Sequence, residues 1–289
     1  MFGVLLAVSA ALQVPACDPL PGWGEVAEEA QGKYLLFGES HGSAESPAVV
    51  AEYVCAVAQD GPVLLAVEFS STNDEGWQRA WAAPPDRFRE TLLTEVPEWR
   101  GRSDGVASEA MLAMLERLHA LKSSGLPIDI VAFNGASGDA QRAAFTGLPG
   151  QEPHEAAQAA NIRKAAQMKD YAHVVVLVGN LHAMKAPVSL GGVTIRPMAM
   201  MLAEPEHVVS LDMHTDGGET WGCQLRDDVE IDPTRPITDD MIQCAAHPSG
   251  ASRPAMTPGF HLRKRGEGEF YDGLFALGPV TASPPAAIE

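Results

Sequence analysis

Four apolar runs recur between Tyr34 and Ala183, each of strand length: YLLFGE, PVLLAVEFS, LPIDIVAFNG and HVVVLVGNLHA. A strand that is apolar at nearly every position has no wet face, so it must be covered on both sides, the condition of a parallel sheet under helices. The intervening stretches have helical spacing. Ser46 and Pro47 read as N-cap and first residue of a helix carrying Val50, Val54 and Val57. Ser108 to Gly125 is amphipathic through Met111, Leu115 and Leu118, and a further helix runs from Pro153 to about Tyr171. Strand and helix alternating in this rhythm give an α/β fold, a mostly parallel β-sheet flanked by helices with right-handed crossovers. Trp77, Trp81, Phe88 and Trp99 fall in a Pro-interrupted stretch that reads as short helices over the sheet edge, serving as a lid. Beyond Lys185, GGVTIRPMAMML and HVVSLDMHTDGGETWGCQL read as a C-terminal strand extension. The segment from Thr257 reads as irregular, with SPPAAIE frayed at the end. The expected organisation is a leader over 1–16 and one α/β domain over 17–289, with its core at about 34–185 and the extension at 186–289.

The formal net charge of −18 repels phosphate backbones and anionic lipid, which excludes nucleic acid as a partner and favours a small-molecule or peptide substrate. The apolar run Phe2 to Val14 is too short to span a bilayer and sits where a secretory leader has its apolar region. No transmembrane segment is expected. Val14 and Ala16 fit the small-residue positions before a cleavage site, so the mature chain is expected to begin near Cys17, in the periplasm or secreted. A lipid anchor on Cys17 is the alternative. Cys223 and Cys244 bracket a polar, Pro-containing stretch that a disulfide can close, and such pairing belongs to oxidising compartments. Cys55, on a helix beside Tyr53 and Val54, reads as a small buried thiol.

Ligands of open parallel sheets bind outside the carboxyl ends of the strands. There this chain is polar: Glu39, His41 and Glu45 follow the first run, Glu68 the second, Asn134 the third, Asn180 and His182 the fourth. Glu39 and His41 are two apart, so continued extension would point them the same way. Glu68 follows six apolar residues, where a carboxylate must be paired or opened to a cavity. Gly38, Gly42 and Gly179 permit tight turns and close backbone approach. Glu45 also suits a helix N-terminus, and a solvated face explains His154, Gln158 and Asn161 as well as function does. His119, His173 and His207 read as structural or surface residues.

The motifs GESHGSAE and, downstream, GNLHA make the chain resemble the erythromycin esterase / ChaN / TIKI superfamily (EreA/ChaN-like proteins) from about Tyr34 to Lys185. The resemblance implies a parallel-sheet α/β core in which Glu39 and His41 are the signature pair, Glu68 the acid of the second strand and His182 the later histidine. It also implies three activities. The first is an esterase-like hydrolase in which a His/Glu centre of His41, Glu39, Glu68 and His182 activates water against an ester or amide. From the strand-end placement itself, His41 near its ordinary pKa is expected as the general base, and Glu45, Asn134 and Asn180 as substrate contacts. The second is a TIKI-like peptidase in which Glu39, His41, Glu68 and His182 hold a divalent metal, Mn, Fe or Zn. The third is a ChaN-like protein binding haem without covalent attachment through His41 or His182, under the aromatic segment. No cofactor is expected for the first. One departure from the esterase-like pattern is Val50, nine residues after His41, where arginine is expected.

Overall fold

In the computed structural model, residues 17–18, 20–190, 192–229, 236–250, 255–264 and 270–287 are described. The expected leader at 1–16 lies outside them. The strands are β1 (Tyr34–Glu39), β2 (Val63–Ser70), β3 (Ile128–Asn134), β4 (His173–Gly179), β5 (Val188–Leu190), β6 (Val193–Ile195), β7 (Val208–Leu225), β8 (Ile242–Pro248), β9 (Gly259–Leu262) and β10 (Gly273–Val280). The helices that matter below are α1 (Glu45–Val57), α2 (Asp74–Ala82), α3 (Glu109–Ser123), α4 (Glu152–Ala166) and the single turn α5 (Asn180–Ala183).

Eight strands form one mixed, mostly parallel sheet in the order β3-β2-β4-β1-β7-β10-β9, with β8 paired to the far half of β7. Every pairing from β3 across to β10 is parallel, while β9 and β8 run antiparallel to their neighbours. The apolar runs are covered on both faces, as their composition requires. In β1, Leu35 and Phe37 enter the core layer shared with α1 and α3, and Leu36 enters the layer shared with α4 and α5.

The chain beyond residue 185 departs from the expected pattern. The first half of β7 lies beside β1 inside the sheet, and β10 lies beside β7. The segment from Thr257, expected to be irregular, therefore supplies two strands. Gly259 and Gly273 sit where neighbouring chain leaves no room: a Cβ at Gly273 would stand 2.6 Å from His261 O. The fray expected at SPPAAIE is overturned for 283–287, since Ser283 is buried and Ala286 N donates to Ala107 O, while 288–289 lie outside the described residues.

The Trp-rich segment lies along the sheet edge as expected but is no lid. Trp77 and Trp99 are fully buried and pack on Phe69 with ring centroids 4.8 and 4.9 Å away. On α2, Asp74 accepts from Ala132 N, Gln78 donates to Ile130 O and Trp81 Nε1 donates to Ile128 O. Residues at positions 74, 78 and 81 share one helix face, and alternate residues of β3 present their free backbone groups to it. The helix thus caps the edge strand with side chains instead of a further strand. Helix α1 starts at Glu45, ahead of the expected Ser46 cap, with Ser43 Oγ accepting from Ser46 N.

Cys223 and Cys244 are joined, as their spacing suggests. Cys55 is not a free thiol: it is bonded to Cys17, which ties the start of the described chain to the buried face of α1. That bond occupies the sulfur a lipid anchor would need. Peptide mapping without reduction is expected to recover Cys17 linked to Cys55 and Cys223 linked to Cys244. Replacing Cys17 and Cys55 by serine and alanine is expected to lower stability in urea by about 4 kcal/mol, the entropic scale for a loop closed over a separation of 38 residues.

Candidate active site

The carboxyl ends of β1, β2 and β4 converge on one carboxylate. Glu68 ends the apolar run of β2, is 7% exposed, and takes Gly179 N, at the end of β4, on Oε2 at 2.6 Å. Its two oxygens face two different imidazoles. His41 Nε2 lies 3.5 Å from Oε2, and His182 Nε2 lies 3.6 Å from Oε1. Each ring is fixed from behind by a glutamate of its own. His41 Nδ1 meets Glu39 Oε1 at 3.0 Å, and His182 Nδ1 meets Glu155 Oε2 at 2.8 Å. The site is therefore two acid–histidine dyads facing a shared carboxylate.

Local structure explains how these side chains meet. Extension does not continue past Glu39; the chain turns at His41 and Gly42, and the turn folds the ring back onto the carboxylate. Gly42 has φ of 82°, and a Cβ there would stand 1.9 Å from Trp221 O, so only glycine fits between this turn and β7. Gly179 is used differently. A Cβ on it would stand 3.1 Å from His41 Nε2 and 3.5 Å from Glu68 Oε2 and His182 Cδ2. A side chain here would press on both rings and the carboxylate, which close around the end of β4. After Gly179 the chain enters α5, which brings His182 up one helical turn.

The electrostatics follow from the alternation of charge. Burial opposes a charged His41, but the hydrogen bond with Glu39 and the charges of Glu68 and Glu39 outweigh it and push its pKa up to about 9. Burial also opposes charge on His182, and Glu155 and Glu68 again prevail, raising it above the ordinary imidazole value. His41 is thus held protonated at neutral pH, contrary to the expectation of an unperturbed base. Glu39 and Glu155 are 3% and 0% exposed, and Glu39 Oε2 and Glu155 Oε1 have no partner. Arg102 approaches from the loop after the Trp-rich helices and donates to Glu68 O at 3.3 Å.

The sequence-predicted residues divide into two groups. Glu39, His41, Glu68 and His182 come together. Glu45 does not join them: its carboxylate accepts from Thr281 N and clips the C-terminal segment to the start of α1. Asn180 starts α5, and its carbonyl accepts from Tyr271 OH. Asn134 accepts on Oδ1 from Gln158 at the wall beside His182. Sequence reasoning missed Glu155 and Arg102. A signal for Glu155 existed, since Glu152, Glu155 and Gln158 recur every three residues among alanines on α4, and all three are buried rather than solvated. Among the described residues no group of three or more His, Cys, Asp or Glu side chains is arranged to hold a metal ion. The aromatic rings expected to cover haem lie in the core.

No family model matches the sequence, and no curated protein matches it significantly. Solved structures do. A succinoglycan biosynthesis protein superposes with a TM-score of 0.59 at 12% identity, over 92% of this chain and 93% of its own. A mutant of erythromycin esterase EreC in its open conformation gives 0.59 at 13% identity, over 91% and 93%. A protein from Bacillus cereus gives 0.61 at 10% identity, over 91% and 92%. At such identities the likeness concerns the backbone: this chain has the EreA/ChaN-like α/β fold that the GESHG motif suggests, shared with the erythromycin esterase along nearly its whole length.

Proposed function

We propose that the chain is an exported hydrolase that activates water against an ester or amide of a small-molecule or peptide substrate. The observation that carries this reading is the placement of Glu68 between the Nε2 atoms of His41 and His182, with the space in front of Gly179 left empty of side chain. A water molecule there would have a base, a counter-charge and a second imidazole around it. His41 in its neutral form takes the proton through Nε2. Glu39 fixes the ring with its proton on Nδ1, and Glu39 and Glu68 stabilise the imidazolium that results. Glu155 holds His182 toward Glu68 in the same way. Two disulfides, and the lack of a helix long and apolar enough to cross a membrane among the described residues, support an extracytoplasmic setting.

The ester and lactone panel that tests the class is to be run with His41→Ala alongside the wild type. Loss of a positioned base is expected to lower kcat by about 10² to 10⁴, and undiminished turnover refutes the reading. The pH dependence carries a sign. A base whose pKa is raised to about 9 is mostly protonated at neutrality, so kcat/KM is expected to rise with pH, reach half its maximum near 9 and level off above it. A profile that instead falls through that value would make His41 the acid. Gly179→Ala, which puts a methyl group in the space for water, is expected to cut turnover strongly while far-UV circular dichroism stays unchanged.

A further inference from the structure

Beside the two dyads, one polar chain in the wall has no part in the reading above. Gln158, on α4, is fully buried, and its amide nitrogen donates to Asn134 Oδ1 at 3.0 Å and to His154 Nε2 at 2.7 Å. Its own Oε1 has no partner. An amide that commits both N–H groups in this way dictates how its neighbours face. His154, accepting at Nε2, must carry its proton on Nδ1. Asn134, accepting at Oδ1, is left with Nδ2 to offer. Both residues therefore turn donors away from Gln158. The His154 ring lies 5.9 Å from that of His182, which puts this pair at the margin of the dyads. Next to Asn134 stands Gly135, with φ of 69°, and a Cβ on it would lie 3.8 Å from His154 Nδ1. The absence of a side chain keeps the approach to that N–H open.

We propose that Asn134 Nδ2 and His154 Nδ1 form a donor subsite that takes the carbonyl oxygen of the substrate and the negative charge it gains when water adds. This rests on the hydrolase reading. In the step, the water oxygen bonds to the carbonyl carbon, the π pair of the C=O moves onto its oxygen, and the water proton passes to His41 Nε2. Two donors with no acceptor between them cannot hold a metal or an ammonium group. The nearby carboxylates of Glu68 and Glu155 disfavour a ligand that arrives already anionic. A neutral carbonyl that becomes negative only during reaction meets both conditions, and fixed donors aimed at it stabilise the transition state more than the ground state.

The orientation of Gln158 is the measurable core of this proposal. Nitrogen NMR of isotope-labelled protein is expected to show His154 as the Nδ1–H tautomer. δ-Valerolactone, as a carbonyl probe, is expected to shift the Asn134 side-chain amide and His154 Nδ1. Gln158→Glu, whose carboxylate accepts from both neighbours, is expected to convert His154 to the Nε2–H form and abolish those shifts. In lactone turnover the same variant is expected to lose at least about 10²-fold in kcat while KM holds, since loss of even one oxyanion donor has that scale. Should Gln158→Glu not fold, Asn134→Asp removes a donor at a part-exposed position and is expected to weaken both the probe shifts and kcat. An Nε2–H tautomer in the wild type, absent probe shifts, or undiminished kcat in a folded variant overturns the proposal. A wild type that shows the tautomer and the shifts but hydrolyses nothing on the panel refutes the hydrolase reading and supports the carbonyl subsite.

Discussion

A carboxylate at the end of a strand flanked on both sides by other strands has to be solvated by the protein itself. Glu68 is that group, and the surroundings of β1, β2 and β4 follow from it. One oxygen takes a backbone N–H from Gly179, which requires β4 to end on a residue without a side chain. Both oxygens face imidazoles, which brings the turn after β1 and the short helix after β4 to the same place. Each imidazole, once charged, needs a counter-charge, and Glu39 and Glu155 are buried to supply it. The resulting row of acid, base, acid, base, acid gives every charge at least one opposite neighbour, the condition under which buried ions are tolerated.

The same row makes the centre stiff. Each ring is fixed at Nδ1 by a carboxylate that is itself nearly inaccessible, so the Nε2 atoms have little freedom to swing. Met198 N adds a second hydrogen bond to the Glu155 oxygen that holds His182, anchoring that dyad to the chain after the β5–β6 hairpin. A site arranged in this way does not need to reorganise its dipoles when charge moves, which is the condition for large electrostatic effects on a reaction.

Much of this was legible because a parallel sheet writes its strands as apolar runs and its ligand end as whatever polar residues follow them. Glu39, His41, Glu68 and His182 all stand directly after such runs. Glu155 and Arg102 do not: one lies in the middle of a helix and the other in a loop, where neither run length nor periodicity marks proximity to a strand end. The Trp-rich stretch was misjudged because an aromatic cluster over a sheet edge has the same composition whether it faces a ligand or the core. The hydrogen bonds of Asp74, Gln78 and Trp81 to β3 are long-range and leave no local pattern. β9 and β10 were missed because glycines demanded by close backbone packing look like loop glycines in one dimension. The partner of Cys55 was hidden because an apolar helix face reads the same around a bonded sulfur as around a free buried thiol.

The turn after β1 is held by chain synthesised much later. Gly42 O accepts from both Trp221 N and Ser283 N, and β1 itself is enclosed by β4 on one side and β7 on the other. A growing polypeptide that has completed β1 to β4 would still expose one long edge of β1 and leave the signature loop without its backbone partners. The geometry of the dyads is therefore a product of closure, assembled when the last strands arrive. Topologies with contacts of such sequence separation fold slowly and present unpaired edges while they wait. In this molecule the edge of the first strand stays open until chain more than 160 residues downstream has been made.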